Sequence, residues 1–386
     1  MSALVLLLTT TAASAALLHA SDSLCARALS ATPELSCAVA GRGVALAETQ
    51  EEAERLAGYA RAGEVRFAAR FGHVIAPYAV LSTPPAPDRA ALRAAGFVHA
   101  LPWPAPRAFD EAARHSIEQG TRRFAASQNM DPARTEEVVA RALSQIPDAR
   151  AQAALDAGMV PHELGHLWFT AAFWPEHAEA DPDAPRHYGG PGPDWLDEAA
   201  AVVLEDDPTA AQRRGQFRAL MKGETVPSVG PIDGRALLLD LPGLLSREHP
   251  GLARAVAVAP EVAASGGVGV SFTPAGAGPR PAALDRVFYI QTRVFADYLI
   301  QTSGRPTILA DIALALAAGR TFEAWLAAEG AALGLPPSTT ELQKSWSDYA
   351  MGVQADQADG LPTSSTAMAV TPGGGAIATV GAGPAS

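Results

Sequence analysis

The chain has 386 residues, 48% hydrophobic and 18% charged, which is ample apolar material for a globular core. A formal net charge of −12 argues against nucleic acid or an anionic membrane surface as partner. The length suits one main domain with additions rather than two full ones.

The N-terminus opens on an apolar stretch of small and aliphatic residues from Leu4 to Leu18. It is too short for a comfortable transmembrane helix and fits the apolar region of a secretory signal, although no Lys or Arg precedes it. Residues 1–20 therefore read as a signal peptide, with small residues before cleavage at Ala15 or Ala20, and the mature chain as exported, periplasmic or secreted, without a membrane span. The only two cysteines, Cys25 and Cys37, fall in the following segment, 21–59. In an exported chain they are expected to close one small disulfide loop; two buried thiols are the alternative in a reducing compartment.

Short strands are expected at 43–47, 73–81 and 97–101, with helices at 50–69 and 88–95 between them. Helices follow at 109–129 and 131–145, the second opening on Asp131-Pro132, an N-cap followed by proline.

The next helix carries the pattern His162-Glu163-Leu164-Gly165-His166. Residues four apart share one helical face, so His162 and His166 can present two imidazoles to a single metal ion. Glu163 lies about 100° round the helix, placed to reach a water on that metal without being a ligand. Two neutral nitrogen donors suit Zn2+, and a catalytic zinc needs a third protein ligand and an open position. Gly165 lets another backbone approach closely, and Pro161 is expected to mark the first turn of a helix starting near Gly158.

A Pro-, Gly- and Asp-rich loop separates this helix from one opening on Asp194 and running to Leu204. Glu198 on that second helix is the best candidate for the third ligand, since Ala199, Ala200 and Ala201 allow close packing against the His162 helix. Taken alone, Asp197 and Glu198 are also ordinary helix-start acids. His177 and His187 in the intervening loop are the rival ligands. The spacing that supplies a third histidine directly after the motif is absent, because positions 169 and 172 are Phe and Ala.

A helix is expected at 208–222, and 226–280 is punctuated by Gly and Pro around an apolar run at 236–245. Helix 282–302 shows Leu284, Val287, Phe288, Val294, Phe295, Tyr298 and Leu299 on one stripe. Tyr298 lies on that stripe and reads as core, whereas Tyr289 points about 150° away, which periodicity alone leaves either exposed or facing a cleft. Further helices are expected at 306–318, 321–333 and 339–351, and the Ala-, Gly-, Ser- and Thr-rich residues 352–386 read as a disordered tail. His99 and His249 read as ordinary strand and loop histidines.

His-Glu-Leu-Gly-His-Leu-Trp-Phe at 162–169 with Trp-Leu-Asp-Glu-Ala at 195–199 resembles the gluzincin zinc metallopeptidases, and most nearly their aminopeptidase-N-like branch. The resemblance extends, more weakly, over roughly 60–350. It implies a thermolysin-like catalytic domain over 60–351, of α+β class, with a small β-sheet lobe followed by a mainly helical lobe and the zinc site on two helices. It implies His162, His166 and Glu198 as zinc ligands, Glu163 as general base, Tyr289 as a catalytic tyrosine, and a peptide or protein as substrate. Three features of the branch are missing. No Gly-x-Met-Glu-Asn strand precedes His162, the loop between His166 and Glu198 is longer, and the chain has no room for the large N-terminal β domain. Another zinc amide or ester hydrolase, or an inactive metal- or protein-binding module, is the alternative function.

Overall fold

The computed structural model describes residues 23–82, 89–103, 106–144, 149–180, 190–226, 229, 234–250 and 279–355. The expected signal segment, the expected disordered tail beyond 355, the stretch 251–278 and His187 lie outside them. The chain is α+β and forms two compact units, residues 1–64 with 74–105, and residues 65–73 with 106–386. The sequence-based boundary near residue 60 falls inside a helix that contributes to both.

In the first unit, α1 (23–31) is followed by β1 (Ser36–Ala40), β2 (Gly43–Ala47), α2 (Gln50–Phe71), β3 (Tyr78–Ser82), α3 (Arg89–Ala94) and β4 (His99–Trp103). The four strands form one sheet in the order β1-β2-β3-β4. β1 and β2 pair antiparallel, with Val39 opposite Val44, while β2–β3 and β3–β4 pair parallel, with Leu46 opposite Leu81 and Val80 opposite Leu101. The parallel pairs follow from the helical crossovers α2 and α3, because parallel neighbours need a long connection. β2 and β3 are buried on both faces, which explains their continuous apolar runs. Ala28, Leu35, Val44, Leu46, Leu81, Leu92 and Phe97 fill one side of the sheet.

β1 was not expected from the sequence. Its residues Ser-Cys-Ala-Val-Ala are small and mostly half-buried, and they carry little strand signal. The strand is tied to α1 by the Cys25–Cys37 disulfide, whose Cα atoms are 5.7 Å apart. His99 opens β4 in this unit, and its buried Nε2 makes no hydrogen bond among the described residues. Burial holds its pKa down to about 4.

The second unit is helical in its described residues: α4 (Pro106–Ser127), α5 (Pro132–Leu143), α6 (Ala149–Phe173), α7 (Pro175–Ala180), α8 (Asp194–Val202), α9 (Asp207–Met221), α10 (Leu241–Ser246), α11 (Pro279–Ser303), α12 (Ile308–Ala317), α13 (Phe322–Trp325) and α14 (Thr339–Ala355). Side-chain caps fix several starts: Asp131, Asp206 and Asp240 each accept a backbone N–H three residues on, with a proline in the first turn. After α13 the backbone widens into one π turn over Leu326–Gly330, where a Cβ on Gly330 would meet Leu326 Cδ1 and the Pro336 carbonyl, both at 3.0 Å.

α6 does not start near Gly158. It begins at Ala149 and carries Pro161 inside it. Residues 160–166 are buried without a break, and the packing of that wholly buried segment outweighs the roughly 3 kcal/mol that an interior proline costs. α8 and α11 are likewise buried on nearly all sides through 195–202 and 287–299. Tyr298 is core as expected, stacked on Phe295 with ring centroids 5.9 Å apart. No helix among the described residues is long and apolar enough to cross a membrane.

Candidate metal centre

α6 and α8 meet at Gly165. A Cβ there would lie 3.0 Å from Ala201 Cα and 3.0 Å from Leu204 Cδ1, so the absence of a side chain permits the approach. That approach brings His162 and His166 on α6 against Glu198 on α8, with one donor atom of each within 4.8 Å of the others. His162 Nε2 lies 3.8 Å from Glu198 Oε1, and His166 Nε2 lies 3.7 Å from Glu198 Oε2. Donors bonded to one zinc ion sit roughly 3.3 Å from each other in a tetrahedral shell, so the spacing is of the right kind. His177, a rival ligand, is exposed on α7 and outside the cluster.

His162, Glu163, His166, Asp197, Glu198, Glu205 and His249 are each no more than 5% exposed. Burying so many ionisable groups is costly unless each is paired or ligates a cation. Both histidines are backed by a carboxylate on the far ring nitrogen. His162 Nδ1 is 3.0 Å from Glu205 Oε1, and His166 Nδ1 is 3.0 Å from Asp197 Oδ1. A carboxylate partner at Nδ1 fixes the ring and the tautomer and turns the Nε2 lone pair toward the cluster. Glu205 is itself gripped by Arg213 on α9, whose Nε reaches Oε2 at 2.6 Å and Oε1 at 2.9 Å and whose Nη2 also bonds Oε1. Burial alone pushes the Glu205 carboxyl up, but the Arg213 guanidinium and His162 hold it down at about 2, so it stays an acceptor.

Glu198 faces a similar contest. Burial raises its pKa, and His162, His249 and His166 together bring it below the ordinary value. Its Oε2 accepts from His249 Nε2 at 3.0 Å, while the buried Oε1 accepts no hydrogen bond among the described residues. An orphaned carboxylate oxygen beside two imidazoles is expensive in isolation and is what a cation ligand looks like. His166 carries the complementary sign. Burial lowers its pKa, yet Asp197, Glu198 and Glu163 outweigh that and raise it to about 9, so the cluster favours positive charge at its centre. The donor set and the electrostatics both fit a zinc ion held by His162, His166 and Glu198.

Tyr289 on α11 lies near the cluster rather than on an open surface. Its ring is half-buried, 5.6 Å from the His249 ring and 5.9 Å from the Arg213 guanidinium carbon. His249, expected to be an ordinary loop histidine, stands within the site instead, because the 247–250 segment folds over the start of α8 and hydrogen-bonds there. Sequence reasoning also missed Glu205 and Arg213 and took Asp197 only as a helix-start acid. Glu205 lies just past the end of α8 at Val202, so helical periodicity from Glu198 does not place it. Glu205, Arg213 and His249 had no signal in the sequence, being placed by tertiary packing. Compared with protein-family models, curated proteins and solved structures, the chain matches none.

Proposed function

We propose that the chain is a zinc-dependent peptide hydrolase of gluzincin type, built on a thermolysin-like catalytic domain. The observation that carries this reading is the convergence of His162, His166 and Glu198, with Nδ1 of each histidine 3.0 Å from its own carboxylate and Glu163 buried beside them. His162, His166 and Glu198 would hold the ion. When bound, zinc polarises the scissile carbonyl and lowers the pKa of a water. Glu205 and Asp197 orient the two imidazoles, and Arg213 keeps Glu205 ionised and in place. Glu163, which the ligand set does not use, takes the proton of the attacking water and passes it to the leaving amine. The Tyr289 hydroxyl donates a hydrogen bond to the oxyanion that develops in the transition state. A signal peptide at 1–20 and the Cys25–Cys37 bridge are in keeping with an exported enzyme.

The test is metal analysis of purified protein joined to digestion of a mixed peptide library. One zinc per chain and zinc-dependent cleavage support the reading. Cleavage confined to non-peptide amides or small esters would make it a different zinc hydrolase. A bound zinc without any turnover would make it a binding module.

A further inference from the structure

His249 touches both ends of the first turn of α8. Its backbone N–H donates to Asp194 Oδ2 at 2.7 Å, and its Nε2 donates to Glu198 Oε2 at 3.0 Å. Asp194 and Glu198 are four residues apart and therefore share one face of the helix. The imidazole is 1% exposed and boxed by rings, with centroids at 5.6 Å for His166, 6.0 Å for Phe288 and 5.6 Å for Tyr289. Anchored through its backbone and walled by aromatic neighbours, the ring aims its Nε2–H in one direction.

That direction matters for Glu198. A carboxylate can ligate a metal through one oxygen or through both, and the choice sets the coordination number. The bond from His249 commits Oε2, whereas Oε1 accepts no hydrogen bond among the described residues. We infer that His249 is a positioning residue that restricts Glu198 to one-oxygen ligation through Oε1, which keeps the shell four-coordinate with a position open to water. His249 is not itself a ligand, because the nitrogen facing the cluster carries the hydrogen that Glu198 accepts and has no lone pair to offer. The inference rests on the metal reading proposed above.

The experiment measures zinc affinity by chelator competition, the visible spectrum of the cobalt(II)-substituted protein, and the melting temperature of metal-free protein. It compares wild type, His249→Phe and His249→Gln. Phe fills the space without a donor, and the Gln amide can still donate to Glu198. His249→Phe should lose about 10- to 100-fold in zinc affinity. Its cobalt band should weaken as the second oxygen joins the shell. His249→Gln should restore affinity to within a few-fold and keep the wild-type spectrum, even if His249→Phe lowers the melting temperature. Equal losses in both variants would make His249 a ligand and overturn the inference, as would wild-type affinity and spectrum in His249→Phe. Wild-type protein that takes up no zinc would instead contradict the metal reading itself, and the inference with it.

Discussion

Glu205 Oε1 lies 3.0 Å from His162 Nδ1 while the same carboxylate is gripped through both oxygens by Arg213. The proposed ligand His162 is thus oriented by a carboxylate that is in turn fixed by a largely buried guanidinium. Glu205→Gln keeps the shape but weakens the acceptor and leaves the part-buried Arg213 without its counter-charge. Zinc affinity should fall by about 10- to 100-fold, the usual effect of losing such a partner. Unchanged affinity in a chelator competition would show that His162 needs no such support.

His166 gives the site a pH dependence. Its pKa is raised from the ordinary 6.5 to about 9, so a zinc ion must displace a proton from it anywhere below about 9. Zinc affinity should climb between pH 6.5 and 9, by at most about tenfold per unit, and level off above. The stability of the metal-free protein should run the other way. A raised folded pKa contributes stability that is complete below 6.5 and is lost as pH rises through about 9. Its melting temperature should therefore decline over that window, and Asp197→Asn should flatten both slopes. Zinc affinity that is level from pH 6.5 to 9 would contradict this account.

Gly165→Ala would place a methyl group 3.0 Å from the Ala201 backbone and from Leu204. Helices α6 and α8 would have to separate by a few tenths of an ångström. The expected cost is about 1–3 kcal/mol of stability, with weaker zinc binding because the donors ride on these two helices. Calorimetry with zinc titration checks both, and the idea fails if stability falls while affinity does not.

The two helices that carry His162, His166 and Glu198 were legible because their information is local. His162, Glu163 and His166 sit at helical spacing, and Trp195-Leu196-Asp197-Glu198-Ala199 marks a helix start with an apolar anchor. The strands at β2, β3 and β4 were legible through apolar runs bounded by turn residues. What stayed hidden depends on tertiary context. His249 lies 51 residues beyond Glu198 and has no periodic relation to it. Pro161 misplaced the start of α6, since local propensity cannot register that the segment is buried on every side. β1 was missed because Ser36, Cys37 and Ala38 form a strand through pairing with β2 and not through intrinsic preference.

His99 sets a second pH response, in the first unit. Its folded pKa is depressed by burial from 6.5 to about 4, so the unfolded chain takes up the proton first as pH falls. The stability contribution is intact above 6.5 and is lost between 6.5 and about 4, by up to about 3 kcal/mol. His99→Phe should remove that acid sensitivity from thermal melts at pH 4–6.5. An identical pH profile in the variant would mean that His99 is not the group responsible.

The central claim is that Glu163 is the base of a metal-dependent hydrolase and not a structural acid. Glu163→Gln keeps the side-chain size, removes the base and leaves His162, His166 and Glu198 intact. The decisive measurement is zinc content and peptide turnover in the same preparations of wild type and Glu163→Gln. About one zinc per chain in both, with turnover lower in the variant by roughly 10² or more, is the predicted result. Equal turnover in the two proteins would contradict the account.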